Sequence, residues 1–170
     1  MQRTTTRFWC EMSWLYHPVL RPIRNRFFVA LGLVRRAMTL GVRGIVRNQK
    51  GEVLLVRHTY VAGWHLPGGG VERNQSMAEA MHEELAEEVN ITATGPIELF
   101  QIYRNPITSR FDHVALYVVP HWTGTGTSDR DWEIAETGFF ALDALPEGTT
   151  KSTRQRLLEV SENKPVSQEW

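Results

Sequence analysis

A single cysteine, Cys10, among 170 residues leaves no internal disulfide to form. The six histidines are scattered and no Cys-x-x-Cys occurs, so no zinc cage is written in the sequence, and a reducing, cytoplasmic setting is the natural expectation. Long apolar runs are missing too. The longest in the N-terminal region, residues 27–34, is far too short to span a bilayer, and Arg35 and Arg36 follow it where a secretory leader would need small residues. There is no internal repeat and no low-complexity tract. A composition of 42% hydrophobic and 22% charged residues fits one globular domain and excludes wholesale disorder, collagen-like and coiled-coil architectures.

Net charge is lacking as well, 19 Lys and Arg balancing 19 Asp and Glu, but the balance is uneven along the chain. Residues 1–47 hold nine basic residues, all Arg, against Glu11 alone, a surplus of +8; residues 48–170 hold ten basic and 18 acidic residues, a deficit of −8. A divalent cation relieves an acidic body, and a basic arm suits phosphate, RNA or an anionic membrane surface. Residues 1–40 therefore read as a basic N-terminal extension, residues 41–160 as the principal domain and residues 161–170 as a polar C-terminal tail. Within the arm, Ile23, Phe27, Ala30, Leu31, Val34 and Met38 recur at helical spacing, with Arg24, Arg35 and Arg36 off that stripe. An Arg-rich, acid-poor arm also fits a mitochondrial transit peptide, which stays open beside the cytoplasmic reading.

The domain opens with β-branched and aliphatic runs at residues 42–48 and 52–58 joined by Asn48, Gln49, Lys50 and Gly51, the pattern of a hairpin. A loop over residues 60–65 leads to Pro67, Gly68, Gly69 and Gly70, which forbid regular structure and force a sharp backbone path. Ser76 with Glu79 forms a capping box for a helix over residues 77–89. Further strands are expected at 97–103, 114–119 and 138–142, and a last helix at about 150–160.

At about 100° per residue, Glu84, Glu87 and Glu88 share one edge of the first of these helices while Met81, Leu85 and Val89 form the neighbouring apolar stripe. Like charges so spaced cost a helix roughly 0.2–0.5 kcal/mol per pair, so the crowding is best understood if something positive sits there. Hard oxygen donors select magnesium, manganese or calcium over zinc. A run of Glu is more often a solvated helix face. Here the Gly-rich loop directly before the helix, with Gly68, Gly69 and Gly70 able to bring backbone groups close to metal or phosphate, favours a site.

Residues 69–91 resemble the Nudix box, G-x5-E-x7-R-E-U-x-E-E-x-G-U with U aliphatic. Gly69, Glu84, Leu85, Glu87, Glu88 and Ile91 match six of its nine specified positions, and the preceding WHLPGGGVE is similar to the family's usual entry to the box. Gln75, Glu83 and Asn90 stand where the box has Glu, Arg and Gly. Asn is the next best residue after Gly for a left-handed helix terminus. Gln75 and Glu83 together replace what would be an ion pair with a pair able to hydrogen-bond, at the cost of extra negative charge near Glu87.

The resemblance implies an α/β fold, a Nudix-like α/β/α sandwich around a mixed β-sheet. It also implies hydrolysis of a nucleoside diphosphate linked to another moiety. Magnesium, or manganese in its place, would be held by Glu84, Glu87 and Glu88 with the Gly68 carbonyl. Glu87 or Glu88 is the first candidate for the general base, with Glu133 or Glu136 behind them. Arg57 stands where the family often presents a basic residue to phosphate, and Gly69 and Gly70 would lie against the substrate. Trp64, Tyr103 and Phe111 are placed between base stacking and core filling, while His58, His65 and His113 are read as structural. Two other readings remain beside the small-nucleotide hydrolase: a nucleotide-binding module with weak or no turnover, and an enzyme acting on RNA through the basic arm. The nucleotide, the leaving moiety and whether the chain forms a homo-oligomer are left open.

Overall fold

The structure, a computed structural model, describes residues 37–162 and 164–170. The helical stripe expected over residues 23–38 falls outside the described residues apart from Ala37 and Met38, which are not helical. Along the chain run β1 (Thr39–Val46), β2 (Val53–His58), α1 (Met77–Val89), β3 (Ile91–Ala93), β4 (Glu98–Arg104), β5 (Asp112–Val119), β6 (Trp122–Gly124), β7 (Ile134–Phe140) and α2 (Lys151–Glu162). β1 pairs in parallel with β5, with Val42 opposite Ala115, and β5 pairs antiparallel with β4; β2 pairs antiparallel with β7, and β3 with β6.

β2 is apolar without interruption from Val53 to Val56 because both its faces are covered. Leu54 and Val56 pack with Ala80, Met81, Leu85 and Val89 of α1, whereas Val53 and Leu55 pack with Leu157 of α2. Val42 and Ile45 of β1 divide in the same way. The result is the three-layer α/β/α sandwich with a mixed sheet. Burying each large residue of the α1 stripe contributes about 1.5–3 kcal/mol, so Leu85→Ala, which empties a fully buried position, would cost about 2–5 kcal/mol.

The expected hairpin between β1 and β2 forms only at its turn. The Gly51 N–H donates to the Asn48 carbonyl at 2.9 Å and the Asn48 N–H to Glu52 at 3.0 Å, but beyond a single bridge between Arg47 and Val53 the strands part. They part because the edge of β1 that β2 would use is taken by the Gly-rich segment. Val42 N–H donates to the Gly69 carbonyl and Gly44 N–H to the Pro67 carbonyl, each at 2.9 Å, and Val71 N–H donates to the Leu40 carbonyl at 2.9 Å. The loop therefore lies along β1 as an extra rung.

The polar tail is also more ordered than its composition suggested. Trp170 N–H donates to the Arg104 carbonyl at 2.9 Å, and Arg104 N–H to that of Gln168 at 3.0 Å, which lays the tail beside β4. Trp170 meets Tyr103 edge-on at 5.6 Å. Beneath them the fully buried Arg156 donates to Glu159 at 2.8 Å and to the Glu169 carbonyl at 2.7 Å, and the Tyr103 hydroxyl donates to Glu159 at 2.8 Å. Both terminal nitrogens of Arg156, the Tyr103 hydroxyl and the Glu159 carboxylate thus gain partners, and Arg156 Nε alone of this network is left without one.

Candidate active site

α1 starts where Ser76 predicts. Its hydroxyl accepts from the Glu79 N–H at 3.2 Å and the Glu79 carboxylate accepts from the Ser76 N–H at 2.8 Å, so two otherwise orphaned donors are satisfied. α1 ends at Asn90, left-handed at φ 51°, whose side-chain amide donates to the Thr127 carbonyl and to Asp129. Gln75 accepts from the Glu72 N–H at 2.9 Å, and its amide donates to the Glu83 carboxylate. The two box departures therefore touch, an amide-to-carboxylate hydrogen bond standing where the box would have an ion pair and leaving one negative charge on Glu83.

The loop rung and α1 meet at Gly68 and Gly69. Gly68 sits at φ 135°, and a Cβ there would come within 2.2 Å of the Val42 carbonyl oxygen, so only glycine can follow β1 this closely. Its N–H donates to Glu88 Oε2 at 2.7 Å, and its carbonyl accepts no hydrogen bond among the described residues. At Gly69 a Cβ would lie 2.1 Å from Glu84 Oε1. The absence of a side chain there is what lets the Glu84 carboxylate reach the loop.

Burial dominates the electrostatics. Glu88 is 3% exposed, and desolvation pushes its pKa up to about 7 against the opposing pull of Arg43 and the Gly68 N–H. Desolvation raises the half-buried Glu84 as well, with Arg43 again opposing and with Glu87 and Glu133 adding to the rise. Glu87 is turned outward onto Arg130 at 2.9 Å, and Arg130 also reaches Glu133 at 3.4 Å. Glu133 is itself fixed by its backbone, its carbonyl accepting from Thr59 N–H at 2.9 Å. His58 Nε2 lies 3.7 Å from Glu88 Oε1, but burial, Arg43 and His65 lower the His58 pKa to about 4. At neutral pH the imidazole is uncharged, so this contact is not an ion pair.

The structure thus brings together Gly68, Gly69, Glu84, Glu87, Glu88 and Glu133. It does not bring Arg57 to them. Arg57 leaves β2 beside Trp64, its guanidinium 5.8 Å from that ring, and binds Glu136 of β7 at 2.6 Å with both groups exposed. Glu136 is accordingly a partner of Arg57 and not a neighbour of Glu88. Trp64 and Tyr103 are core residues, whereas Phe111 is exposed. Arg43 and Arg130, which set the charge of the site, were not singled out by spacing. Arg43 carried a readable signal, a lone cation inside the aliphatic run of β1; for Arg130, in a polar loop, there was none.

The oxygen donors suit a hard divalent cation. Glu84 and Glu88 are desolvated carboxylates that no Lys or Arg pairs with among the described residues, the condition that bound positive charge would relieve. As they stand, no three His, Cys, Asp or Glu side chains among the described residues converge into a finished cage, because Glu87 is held away by Arg130. The donor set fits in its chemistry, with Glu87 needing to exchange its partner.

Residues 38–160 match the NUDIX domain family. Similar solved structures include a MutT NUDIX hydrolase from Burkholderia pseudomallei, at TM-score 0.64 and 23% identity over 72% of this chain and 98% of that one. Another is a MutT protein from Methanosarcina mazei, at TM-score 0.54 and 24% identity over 75% and 96%. At this identity the likeness speaks for the fold. Among curated relatives, an RNA pyrophosphohydrolase from Halorhodospira halophila is 42% identical over 55 residues, 32% of this chain and 29% of that protein. An 8-oxo-dGTP diphosphatase from Haemophilus influenzae is 27% identical over 85 residues, 48% and 62% respectively. The chain spans less than two thirds of the length of either relative. With its family matched across most of its length and the box residues gathered at one edge of α1, the chain belongs to the Nudix family.

Proposed function

We propose that the chain is a magnesium-dependent pyrophosphohydrolase that cleaves the diphosphate bond of a nucleoside diphosphate linked to another moiety, with manganese an alternative ion. The observation that carries this reading is the buried Glu88 carboxylate, fastened to the Gly68 N–H and pushed to about 7, beside a second desolvated carboxylate on Glu84. Glu84, Glu87, Glu88 and the Gly68 carbonyl would hold the ion. Its chemistry there is to neutralise the diphosphate and make bound water more acidic.

The remaining work belongs to side chains. Water attacks one phosphorus in line, a P–O bond forms, and the bridging P–O bond breaks to give a nucleoside monophosphate and a phosphorylated leaving group. A carboxylate takes the proton of that water. Glu87 and Glu88 are the first candidates, and Glu133, held by Arg130 at the same edge, is the next. Gly69 and Gly70 would let the diphosphate approach the backbone, while Arg57 can serve a phosphate only by releasing Glu136. The names of the matched relatives, RNA pyrophosphohydrolase and 8-oxo-dGTP diphosphatase, support hydrolysis at a diphosphate.

Two other readings have an observation behind them. The engagement of Glu87 by Arg130 favours a nucleotide-binding module with weak turnover, and the relatives' name favours RNA as substrate. A panel of dinucleotides, nucleotide sugars, nucleoside triphosphates and capped RNA, each assayed with magnesium, manganese and chelator, separates the three. Glu87→Gln keeps the shape and removes the charge. Its turnover should fall at least tenfold; parent-like rates with and without chelator would overturn the assigned site.

A further inference from the structure

β1 alternates about the sheet. Val42 and Val46 face α1, and a Cβ on Gly44 would lie 3.0 Å from Met81, whereas Ile45 faces the layer of α2. Arg43 shares the parity of Ile45. On that side a cavity of about 670 Å³ is bounded by Arg43, Leu66, the first turn of α2 and Trp170, and it opens beside Gly69 and Gly70. Ligand pockets of this kind are largely apolar with a few polar groups that fix orientation, and the volume suits a nucleoside.

Arg43 is the anomaly in this cavity. Its Nη1 is buried and makes no hydrogen bond, and its guanidinium joins no ion pair among the described residues. Yet its charge acts on Glu84 and Glu88, which meet the rung at Gly69 and Gly68, so a group on the cavity wall is also near the carboxylate edge. A guanidinium does not release its proton in a protein, and a buried N–H left unmade costs about 1–3 kcal/mol. Such a group persists at a cost to the ligand-free chain unless an anion completes it. Phosphate is the anion whose geometry its fork matches.

We propose that Arg43 is a phosphate anchor: it binds the phosphoryl oxygens of a nucleoside monophosphate unit whose base lies in this cavity against Leu66 and Trp170. This rests on the reading of the site as a diphosphate hydrolase and adds which half of the substrate lies where. The unit held by Arg43 is the nucleotide, and the bond to be cut lies on its far side, toward Glu84 and Glu88. The leaving moiety then extends past Gly69 and Gly70 away from the cavity.

The test is equilibrium binding of AMP, GMP, CMP and UMP to the full chain in chelator, for the parent, Arg43→Gln and Arg43→Lys, with melting curves and kcat and KM on the best substrate of the panel. The charge-assisted contact predicts roughly ten- to a hundredfold weaker binding of the preferred monophosphate for Arg43→Gln, partial recovery for Arg43→Lys, and a KM that rises more than kcat falls. Tm should hold or rise, because an unpartnered buried group is removed. Parent-like affinity in Arg43→Gln, or a parent that binds no monophosphate, overturns the proposal. A collapse of Tm would show that the guanidinium supports the fold, and a parent-like KM in Arg43→Lys would then refute the anchor. If Arg43 governs monophosphate binding but no panel member is turned over, the anchor stands and the hydrolase reading falls.

Discussion

Glu88 offers a thermodynamic test that needs neither substrate nor metal. In chelator its carboxyl group ionises at about 7 in the folded chain against 4.5 in the unfolded reference, because burial outweighs the help of Arg43 and the Gly68 N–H. A raised carboxyl pKa favours the fold below about 4.5 and withdraws that contribution as pH climbs to about 7, since the unfolded chain releases the proton first. At 1.36 kcal/mol per unit, the loss attributable to Glu88 is about 3 kcal/mol between pH 4.5 and 7, and flat above. His58 works in the opposite direction: its pKa, lowered to about 4, contributes stability above its usual 6.5 that is lost as pH falls. Glu84 on α1, Arg43 on β1, and Tyr60 and Glu133 in the loops also act on the group, and Glu133 is in turn paired with Arg130. The quantity to measure is therefore the difference between parent and Glu88→Gln, in which their contributions largely cancel. Gln can still accept from Gly68 N–H, so the fold should persist. Urea unfolding in chelator from pH 4.5 to 8 should show the variant gaining on the parent by about 3 kcal/mol across that window. Parallel profiles would refute the idea that an unrelieved buried charge resides at Glu88.

The two loop glycines should fail differently. Gly69→Ala pushes on the mobile end of Glu84, so turnover should drop at least tenfold with little change in Tm, whereas Gly68→Ala meets backbone at positive φ and should cost about 1–3 kcal/mol in unfolding assays. A double-mutant cycle with Gln75→Ala and Glu83→Ala should give a coupling of about 0.5–1 kcal/mol, and a coupling of zero would make the two departures independent. Deleting residues 1–37 should leave turnover of a small nucleotide intact and abolish salt-sensitive binding to anionic vesicles or RNA; early melting of the truncated chain would show instead that the arm belongs to the core.

What could be read in advance was what is local. The bounds of α1 follow from its apolar period and from Ser76 and Glu79, which lie within a few residues of what they cap, and the left-handed end at Asn90 follows from its residue type. β3 and β6 are three-residue strands, too short to show a period. The partner of β1 was not legible, because a strand's neighbour is chosen by tertiary packing: Thr39 pairs with Asp112, and the other edge goes to Pro67 and Gly69. The carboxylates of α1 could be placed because helix geometry relates them. Arg130 could not, since its approach to Glu87 depends on where the loop before β7 lands.

The rung that Pro67 and Gly69 form on β1 bears on which length changes this chain can absorb. Tyr60, Val61 and Ala62 are exposed, so an insertion among them lengthens an outer bulge and leaves the contacts at Gly44 and Val42 where they are. One residue added between Pro67 and Gly70 has no such freedom. Both flanks are tied to β1, and the extra residue would turn the Gly68 N–H from Glu88 and lift the backbone from Glu84 at once. Variation in loop length should therefore be met just before Gly63, and stop abruptly at Leu66.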